Sequence, residues 1–156
     1  MLHQMKIDFN RILKISLLLL VLQLTVCAES ISNKNYGSAV VSEVTSIYDG
    51  DTFRVNLKGY PEIIGNRIGI RINGIDTPEM RARCEEEKSL ARQAKEFAVT
   101  QLRRANKVEL RNMKRGKYFR IVADVYVDGK DLGTMLVDNG LAVSYDGGHK
   151  AKDWCR

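Results

Sequence analysis

Two acidic clusters and two arginines follow one another along this chain. The segment Asp49-Gly50-Asp51-Thr52 comes first, Arg71 precedes Asp76-Thr77-Pro78-Glu79 by five residues, and Tyr118-Phe119-Arg120 comes later. Carboxylates can hold a hard cation, a further carboxylate can take a proton from water, and two guanidinium groups can bind a phosphate. Together these groups are the ones that metal-assisted hydrolysis of a phosphodiester requires.

The first candidates are the metal-binding carboxylates. Asp51 lies just past a predicted hairpin turn and Asp76 just past the end of a predicted strand, so the two can converge in a small barrel. Two close carboxylates repel each other unless a positive charge lies between them. Oxygen ligands select a hard ion such as Ca²⁺ or Mg²⁺ rather than zinc. Asp49 taken alone is better explained as a turn residue.

The second group comprises a candidate base and two candidate phosphate ligands. Glu79 follows Asp76 by three residues, so one carboxylate could hold a metal while the other takes a proton from water. Arg71 and Arg120 lie on the polar faces of predicted strands, and a planar guanidinium group donates two hydrogen bonds to a phosphate at once. For each residue taken alone, a solvated glutamate or a surface ion pair is the commoner alternative.

Hydrophobic periodicity predicts the elements that must position these residues. Strands are predicted over 39–48, 52–57, 67–75, 107–113 and 118–127, a long helix over 85–104 and a short helix over 132–139. Residues 29–38 are expected to form a flexible lead and residues 39–156 a single domain. This order matches a five-stranded oligonucleotide-binding (OB) barrel, a mainly β fold of the α+β type with one long and one short helix.

The first 28 residues have the pattern of a secretory signal peptide. A basic stretch precedes the apolar run Ile15–Val26, whose 12 residues are too few to span a bilayer comfortably. Cleavage is expected after Ala28, which indicates a secreted or periplasmic protein with no stable membrane span in its mature form. An uncleaved membrane anchor and a lipoprotein acylated at Cys27 are the alternatives.

Cleavage would leave Cys84 and Cys155, an even number of cysteines in an oxidising compartment. We predict a disulfide between them, which ties the C-terminal tail to the start of the long helix. Closing a loop of roughly 70 residues stabilises a fold by on the order of 4 kcal/mol. Two unrelated thiols are the alternative, and metal binding by two isolated cysteines is not expected.

The overall composition is that of a globular domain. Of the 156 residues, 44% are hydrophobic and 28% charged, which excludes an intrinsically disordered chain. The formal net charge is +6, and removal of the signal peptide takes away three positive charges and one negative. This modest positive charge is compatible with a nucleic-acid partner, although many basic proteins bind nothing anionic.

The three motifs, in this order and spacing, resemble the staphylococcal nuclease-like (thermonuclease) family from about residue 40 to 141. The family's fold is the OB barrel reached above from the order of elements. The resemblance implies a Ca²⁺ cofactor, with Asp51 and Asp76 as calcium ligands and Thr77 adding its backbone carbonyl. It further implies a monomeric phosphodiester hydrolase, an endonuclease that acts on DNA, RNA or both and leaves 3′-phosphates.

The resemblance also assigns catalytic and substrate-binding roles. Glu79 matches the general base, and Arg71 and Arg120 match the arginines that bind the phosphate and stabilise its charge in the transition state. Tyr118 matches a tyrosine near that phosphate, and Tyr145 lies near the position of an aromatic residue that stacks on a base.

The chain also departs from the family pattern, with Phe119 where many members have glycine and with the cysteine pair in place of a missing last helix.

A non-catalytic OB module that binds nucleic acid is the main alternative to an enzyme. An exported lipoprotein is the second alternative.

Overall fold

The computed structural model describes residues 34–148, 150 and 152–155. The predicted signal peptide, including Cys27, and residues 29–33 of the expected lead lie outside the described residues. The elements, in chain order, are β1 (Ala39–Ile47), β2 (Thr52–Leu57), α1 (Glu62–Gly65), β3 (Ile68–Ile72), β4 (Ile75–Asp76), α2 (Glu85–Arg104), β5 (Val108–Arg115), β6 (Arg120–Val127), β7 (Lys130–Asp131), α3 (Leu132–Asp138) and β8 (Val143–Ser144). Within this part of the chain, no helix combines the length and apolar character needed to cross a membrane.

Five strands close into a barrel, which confirms the predicted OB-like α+β fold. β2 pairs antiparallel with β1 and β3, and β5 pairs antiparallel with β1 and β6. A parallel pairing of β3 with β6 closes the ring and aligns Gly69 with Arg120. Because the side chains of a strand alternate between its two faces, this register presents Arg71 on the face opposite the buried isoleucines of β3.

Alternating apolar side chains fill the barrel. The inward-facing residues of β2 and β3 are all buried: Phe53, Val55, Leu57, Ile68, Ile70 and Ile72. The long helix α2 contributes Ala94 and Leu102 to the same core. Removal of a large apolar side chain from water is worth about 1.5–3 kcal/mol, so this core is the main source of the barrel's stability.

The long helix α2 begins at Glu85 and ends at Arg104, as predicted. Cys84 caps it, because its Sγ accepts a hydrogen bond from the backbone N–H of Glu87 at 3.4 Å. The first turn carries three glutamates and the last turn two arginines, which complements the helix dipole. Arg103 donates to the carbonyl oxygen of Val44 in β1 at 2.6 Å and so fixes the helix against the barrel.

The C-terminal tail is attached at both of its ends. β8 pairs antiparallel with β4, so that Asp76 lies opposite Val143. At the other end the predicted disulfide joins Cys155 to Cys84, and Trp154 beside it is buried. The tail is therefore held close to the loop that connects β4 to α2.

The helix count and the third strand differ from the sequence-based prediction. Residues 34–148 contain a third helix, since α1 forms a four-residue turn after Pro61, where only a break was predicted. The predicted third strand is interrupted, and Gly74 between β3 and β4 has a φ of 76°. Glycine adopts this left-handed conformation without steric cost, which allows the chain to bend there.

The start of β6 also differs from the prediction. β6 begins at Arg120 rather than at Tyr118, because Tyr118 and Phe119 have φ values of 56° and 57° and cannot continue a strand.

The expected flexible lead is bound to the barrel at its described end. Tyr36 donates its backbone N–H to the carbonyl oxygen of Met113 at 2.8 Å, and Met113 donates to that of Gly37 at 3.0 Å.

Candidate active site

Most of the predicted site residues line one cleft of about 910 Å³. They come from the β1–β2 hairpin, from β3, from the loop after β4, from the segment that leads into β6 and from the tail. The predicted residues that line it are Asp51, Arg71, Thr77, Glu79, Tyr118, Arg120 and Tyr145. Asp76 is buried beside the cleft, where its carboxylate contacts Arg71.

Arg71 lies between the two buried aspartates. Its Nη1 is 2.6 Å from Oδ1 of Asp51, and its Nη2 is 3.2 Å from Oδ1 of Asp76. The side chains of the two aspartates are 2% and 6% exposed, whereas that of Arg71 is 23% exposed. The positive charge that two neighbouring carboxylates need is therefore supplied by the chain itself.

Asp49 organises the hairpin turn that carries Asp51. Its Oδ1 accepts hydrogen bonds from the backbone N–H groups of Asp51 at 3.1 Å and Thr52 at 2.7 Å, which is the turn role predicted for it. Burial and the negative charge of Asp51 raise the pKa of Asp49 to about 6, although the two backbone hydrogen bonds act in the opposite direction.

The hairpin approaches the loop after β4 very closely. A Cβ atom at Gly50 would lie 2.8 Å from Cβ of Ala94 and 2.9 Å from Cγ2 of Thr77, so glycine is the residue that fits without displacing its neighbours. The backbone N–H of Thr77 donates to Oδ2 of Asp51 at 3.3 Å, and Thr52 Oγ1 donates to Oδ1 at 2.8 Å. These contacts fix the orientation of the Asp51 carboxylate.

Glu79 lies in the loop between β4 and α2, with its side chain 58% exposed. Its backbone N–H donates to Oε1 of Glu87, in the first turn of α2, at 3.0 Å. Its own Oε1 lies 2.5 Å from Nζ of Lys150, which is also 2.9 Å from Oδ1 of Asp76. Both the backbone and the carboxylate of Glu79 therefore have fixed partners.

Lys150 is the main site residue that the sequence analysis missed. Burial alone would lower the pKa of its ammonium group, but the hydrogen bonds and negative charges of Glu79 and Asp76 outweigh that effect and raise the pKa above its ordinary value of 10.5. Lys150 lies in a polar segment without periodicity, so no local pattern indicated its position. Glu87 was also missed, although a carboxylate in the first turn of a helix is well placed to accept backbone hydrogen bonds.

Arg120 reaches the cleft from the start of β6. Among the described residues it forms no ion pair. Its Nε donates to the carbonyl oxygen of Lys117 at 3.4 Å, and its guanidinium carbon lies 5.7 Å from the ring centre of Tyr118. Its aliphatic part covers Gly69 in β3, where a Cβ atom would lie 3.0 Å from Cγ of Arg120. A guanidinium group held in this way can receive an anion.

Aromatic side chains surround the entrance of the cleft. Tyr118 is 87% exposed, and Tyr48 and Phe119, which were not predicted as site residues, also line the cleft and are exposed. The hydroxyl group of Tyr145 donates to the carbonyl oxygen of Gly148 at 2.8 Å, which fixes the ring. Flat exposed rings next to cationic groups are typical of surfaces that stack on nucleobases.

The geometry as a whole suits the chemistry of a phosphodiester. Two buried carboxylates offer only oxygen donors, which fits a hard divalent cation. The exposed carboxylate of Glu79 can accept a proton, and the guanidinium groups of Arg71 and Arg120 both face the cleft. The structure brings together every residue predicted to act on a phosphate.

Comparisons with known proteins agree with this chemistry. The family model described as "Staphylococcal nuclease homologue" matches residues 69–154, which is more than half of the chain. A probable endonuclease of Schizosaccharomyces pombe is 29% identical over 141 residues, covering 76% of this chain and 60% of the relative. A probable endonuclease of Phaeosphaeria nodorum is 33% identical over 92 residues, covering 55% and 31%. One of Emericella nidulans is 28% identical over 136 residues, covering 69% and 48%. The chain thus spans 60% or less of the length of these relatives.

Proposed function

Because the chain belongs to the family of staphylococcal nuclease homologues, we propose that it is an exported, calcium-dependent nuclease. It hydrolyses phosphodiester bonds of DNA or RNA and leaves 3′-phosphates. The observation that supports this most directly is that one buried aspartate, one exposed glutamate and two arginines line one cleft, while Arg71 contacts a second buried aspartate beside it. The S. pombe, P. nodorum and E. nidulans relatives, each named a probable endonuclease, support the same reaction class.

Asp51 and Asp76 are the proposed ligands of the calcium ion, together with the backbone carbonyl of Thr77. Both carboxylates are buried, and hydrogen bonds from Thr52 and Thr77 fix that of Asp51. When bound, a divalent cation would supply positive charge next to the phosphate. Arg71 contacts both carboxylates and offsets part of the repulsion between them.

Glu79 is the proposed general base. Its carboxylate is exposed to the cleft, where it can take a proton from the attacking water. The hydrogen bond from its backbone N–H to Oε1 of Glu87 fixes the position of the loop that carries this carboxylate.

Arg71 and Arg120 are the proposed phosphate ligands. Attack by water places additional negative charge on the phosphate oxygens, and fixed guanidinium groups stabilise that charge more than they stabilise the substrate. The role of Arg120 is easier to test, because it forms no ion pair among the described side chains. Arg71, in contrast, also contacts the two aspartates. Arg120 is further proposed to assist the departing oxygen.

The reaction is tested with protein lacking residues 1–28, on end-labelled DNA and RNA, with Ca²⁺, with Mg²⁺ and with a chelator. We expect cleavage with calcium, no cleavage with chelator, and product ends that a 3′-phosphatase converts to hydroxyl groups. Cleavage that continues in chelator would contradict the calcium site, and binding without cleavage under every condition would favour the non-catalytic module.

Mass spectrometry of the exported protein distinguishes cleavage after Ala28 from acylation of Cys27.

Substitution of the arginines tests the assigned roles. Arg120→Ala should lower kcat by at least about 100-fold without unfolding the barrel. Arg71→Ala should lower activity as much, but it also removes the ion-pair partner of Asp51 and one of the two partners of Asp76, so its stability must be measured with calcium present. Arg111→Ala is the control, because Arg111 stacks on Tyr126 at 3.9 Å outside the cleft. A folded Arg120→Ala protein of normal activity would refute the assignment.

A further inference from the structure

Lys150 occupies a position that the proposed reaction does not explain. Its ammonium nitrogen lies between the proposed base, at 2.5 Å from Oε1 of Glu79, and a proposed ion ligand, at 2.9 Å from Oδ1 of Asp76. The Oδ1 atom of Asp76 is at the same time 3.2 Å from Nη2 of Arg71. One carboxylate oxygen is therefore shared by two cationic side chains, both of which line the cleft.

The fold holds Lys150 in this position through the two attachments of the tail. On one side β8 pairs with β4, and the backbone N–H of Tyr145 donates to the carbonyl oxygen of Gly74 at 2.8 Å. On the other side Cys155 is bonded to Cys84 at the start of α2. Lys150 lies between these two points, and its ammonium group contacts the carboxylates of Asp76 and Glu79.

We propose that Lys150 is a positioning residue for the reaction, whose ammonium group orients the Glu79 carboxylate toward the cleft and weakens the binding of a divalent cation next to Asp76. This inference rests on the proposed function. The side chain of Glu79 is 58% exposed and has several accessible rotamers without such a partner. A positive charge that contacts an ion ligand also repels a second cation at that ligand.

The two effects of Lys150 act in opposite directions on activity and on calcium binding. Lys150→Gln should lower kcat at saturating calcium by roughly tenfold or more, the size typical of groups that orient catalytic residues. The same substitution should tighten calcium binding, measured by isothermal titration calorimetry, by at least about threefold, because it removes a like charge. General damage to the fold would weaken calcium binding as well as activity, so the opposite signs identify the positioning role.

Two further variants complete the experiment. Lys150→Arg keeps the charge and the donors, so it should restore the calcium affinity of the parent protein and most of kcat. Lys152→Gln is the matched control: it removes the same charge from the same tail, but Lys152 lies over the ring of Trp154, 5.4 Å from its centre. It should change neither quantity by more than about twofold. The side chain of Lys150 is 45% exposed, so its substitution does not disturb the core.

The inference is overturned if Lys150→Gln leaves both kcat and calcium affinity unchanged. It is also overturned if the variant raises KM at unchanged kcat, since Lys150 would then bind the substrate phosphate instead. A parent protein that binds calcium but cleaves nothing defeats the proposed function, while the calorimetric comparison still tests the effect of Lys150 on the ion. A parent protein that cleaves, combined with a Lys150→Gln variant that matches it in both measurements, defeats this inference alone.

Discussion

Arg71 has two partners in this structure and a third in the proposed reaction. It forms ion pairs with Asp51 and Asp76, and it also faces the cleft in which a phosphate would bind. In the proposed reaction, a cation bound to the two aspartates would replace some contacts of Arg71 and leave guanidinium donors free for the phosphate. Ion binding and substrate binding would then be coupled through this one side chain.

Asp49 gives a prediction about pH. Its pKa is raised to about 6 in the fold from an ordinary value of 3.8, so between these values the folded protein binds more protons than the unfolded chain. Stability must then fall as the pH rises from about 4 to about 6 and stay low above that range. Asp49→Asn keeps the oxygen that accepts the two backbone hydrogen bonds and removes this loss, which is worth about 2–3 kcal/mol at pH 7.

The measurement is urea denaturation of both proteins in chelator at several pH values. The stability difference in favour of Asp49→Asn should be close to zero at pH 4 and should reach its full size by pH 7. Asp146→Asn is the control, because Asp146 accepts a similar backbone hydrogen bond, from Gly148 at 2.9 Å, in an exposed turn. A difference between Asp49→Asn and its parent that stays constant from pH 4 to pH 7 would contradict the prediction.

The residue types of the site could be predicted from the sequence, but the contacts that hold these residues in place could not. The acidic and arginine positions occur within three short motifs, and strand periodicity indicates the face on which each arginine lies. The contacts of Lys150 and Glu87 depend on segments that are distant in sequence and meet only in the fold. The sequence also did not predict that Arg71 would pair with Asp51 and Asp76, although the repulsion between two close carboxylates requires a positive charge near them.

At the scale of elements, the sequence predicted best where local signals agree. β2 and α2 have the predicted boundaries, because alternation defines the strand and charges at both ends of an apolar stripe define the helix. β4 was predicted as the end of β3, and β8 was missed. Each has only two residues, too few to show a hydrophobic period, and each is defined by its pairing with the other. The start of β6 was misplaced because Tyr118 and Phe119 look like strand residues but adopt left-handed conformations.

The parallel pairing of β3 with β6 determines where Arg120 lies. Gly69 is opposite Arg120, and a Cβ atom there would be 3.0 Å from Cγ of the arginine. Gly69→Val should therefore displace the guanidinium group and lower kcat/KM for DNA by roughly tenfold, while calcium affinity stays within about twofold of the parent. Steady-state kinetics and calorimetry measure the two quantities.

A double-mutant cycle separates displacement of Arg120 from general damage to the strand. In an Arg120→Ala background, Gly69→Val should lower kcat/KM by less than about twofold, since the affected side chain is already absent. A second tenfold loss in that background would show that Gly69 acts on activity by another route.

At the scale of the whole molecule, the disulfide joins the tail to the helix across 71 residues of sequence. Cys84→Ser with Cys155→Ser should lower the free energy of unfolding by about 4 kcal/mol, because the unfolded chain gains the freedom that the bridge had removed. Urea denaturation should also give a larger m value, since the unbridged chain exposes more surface when unfolded. Adding a reductant should lower the stability of the parent protein but not that of the double variant. A loss below about 1 kcal/mol would contradict the prediction, because the bridge would then restrict the unfolded chain far less than its separation of 71 residues implies.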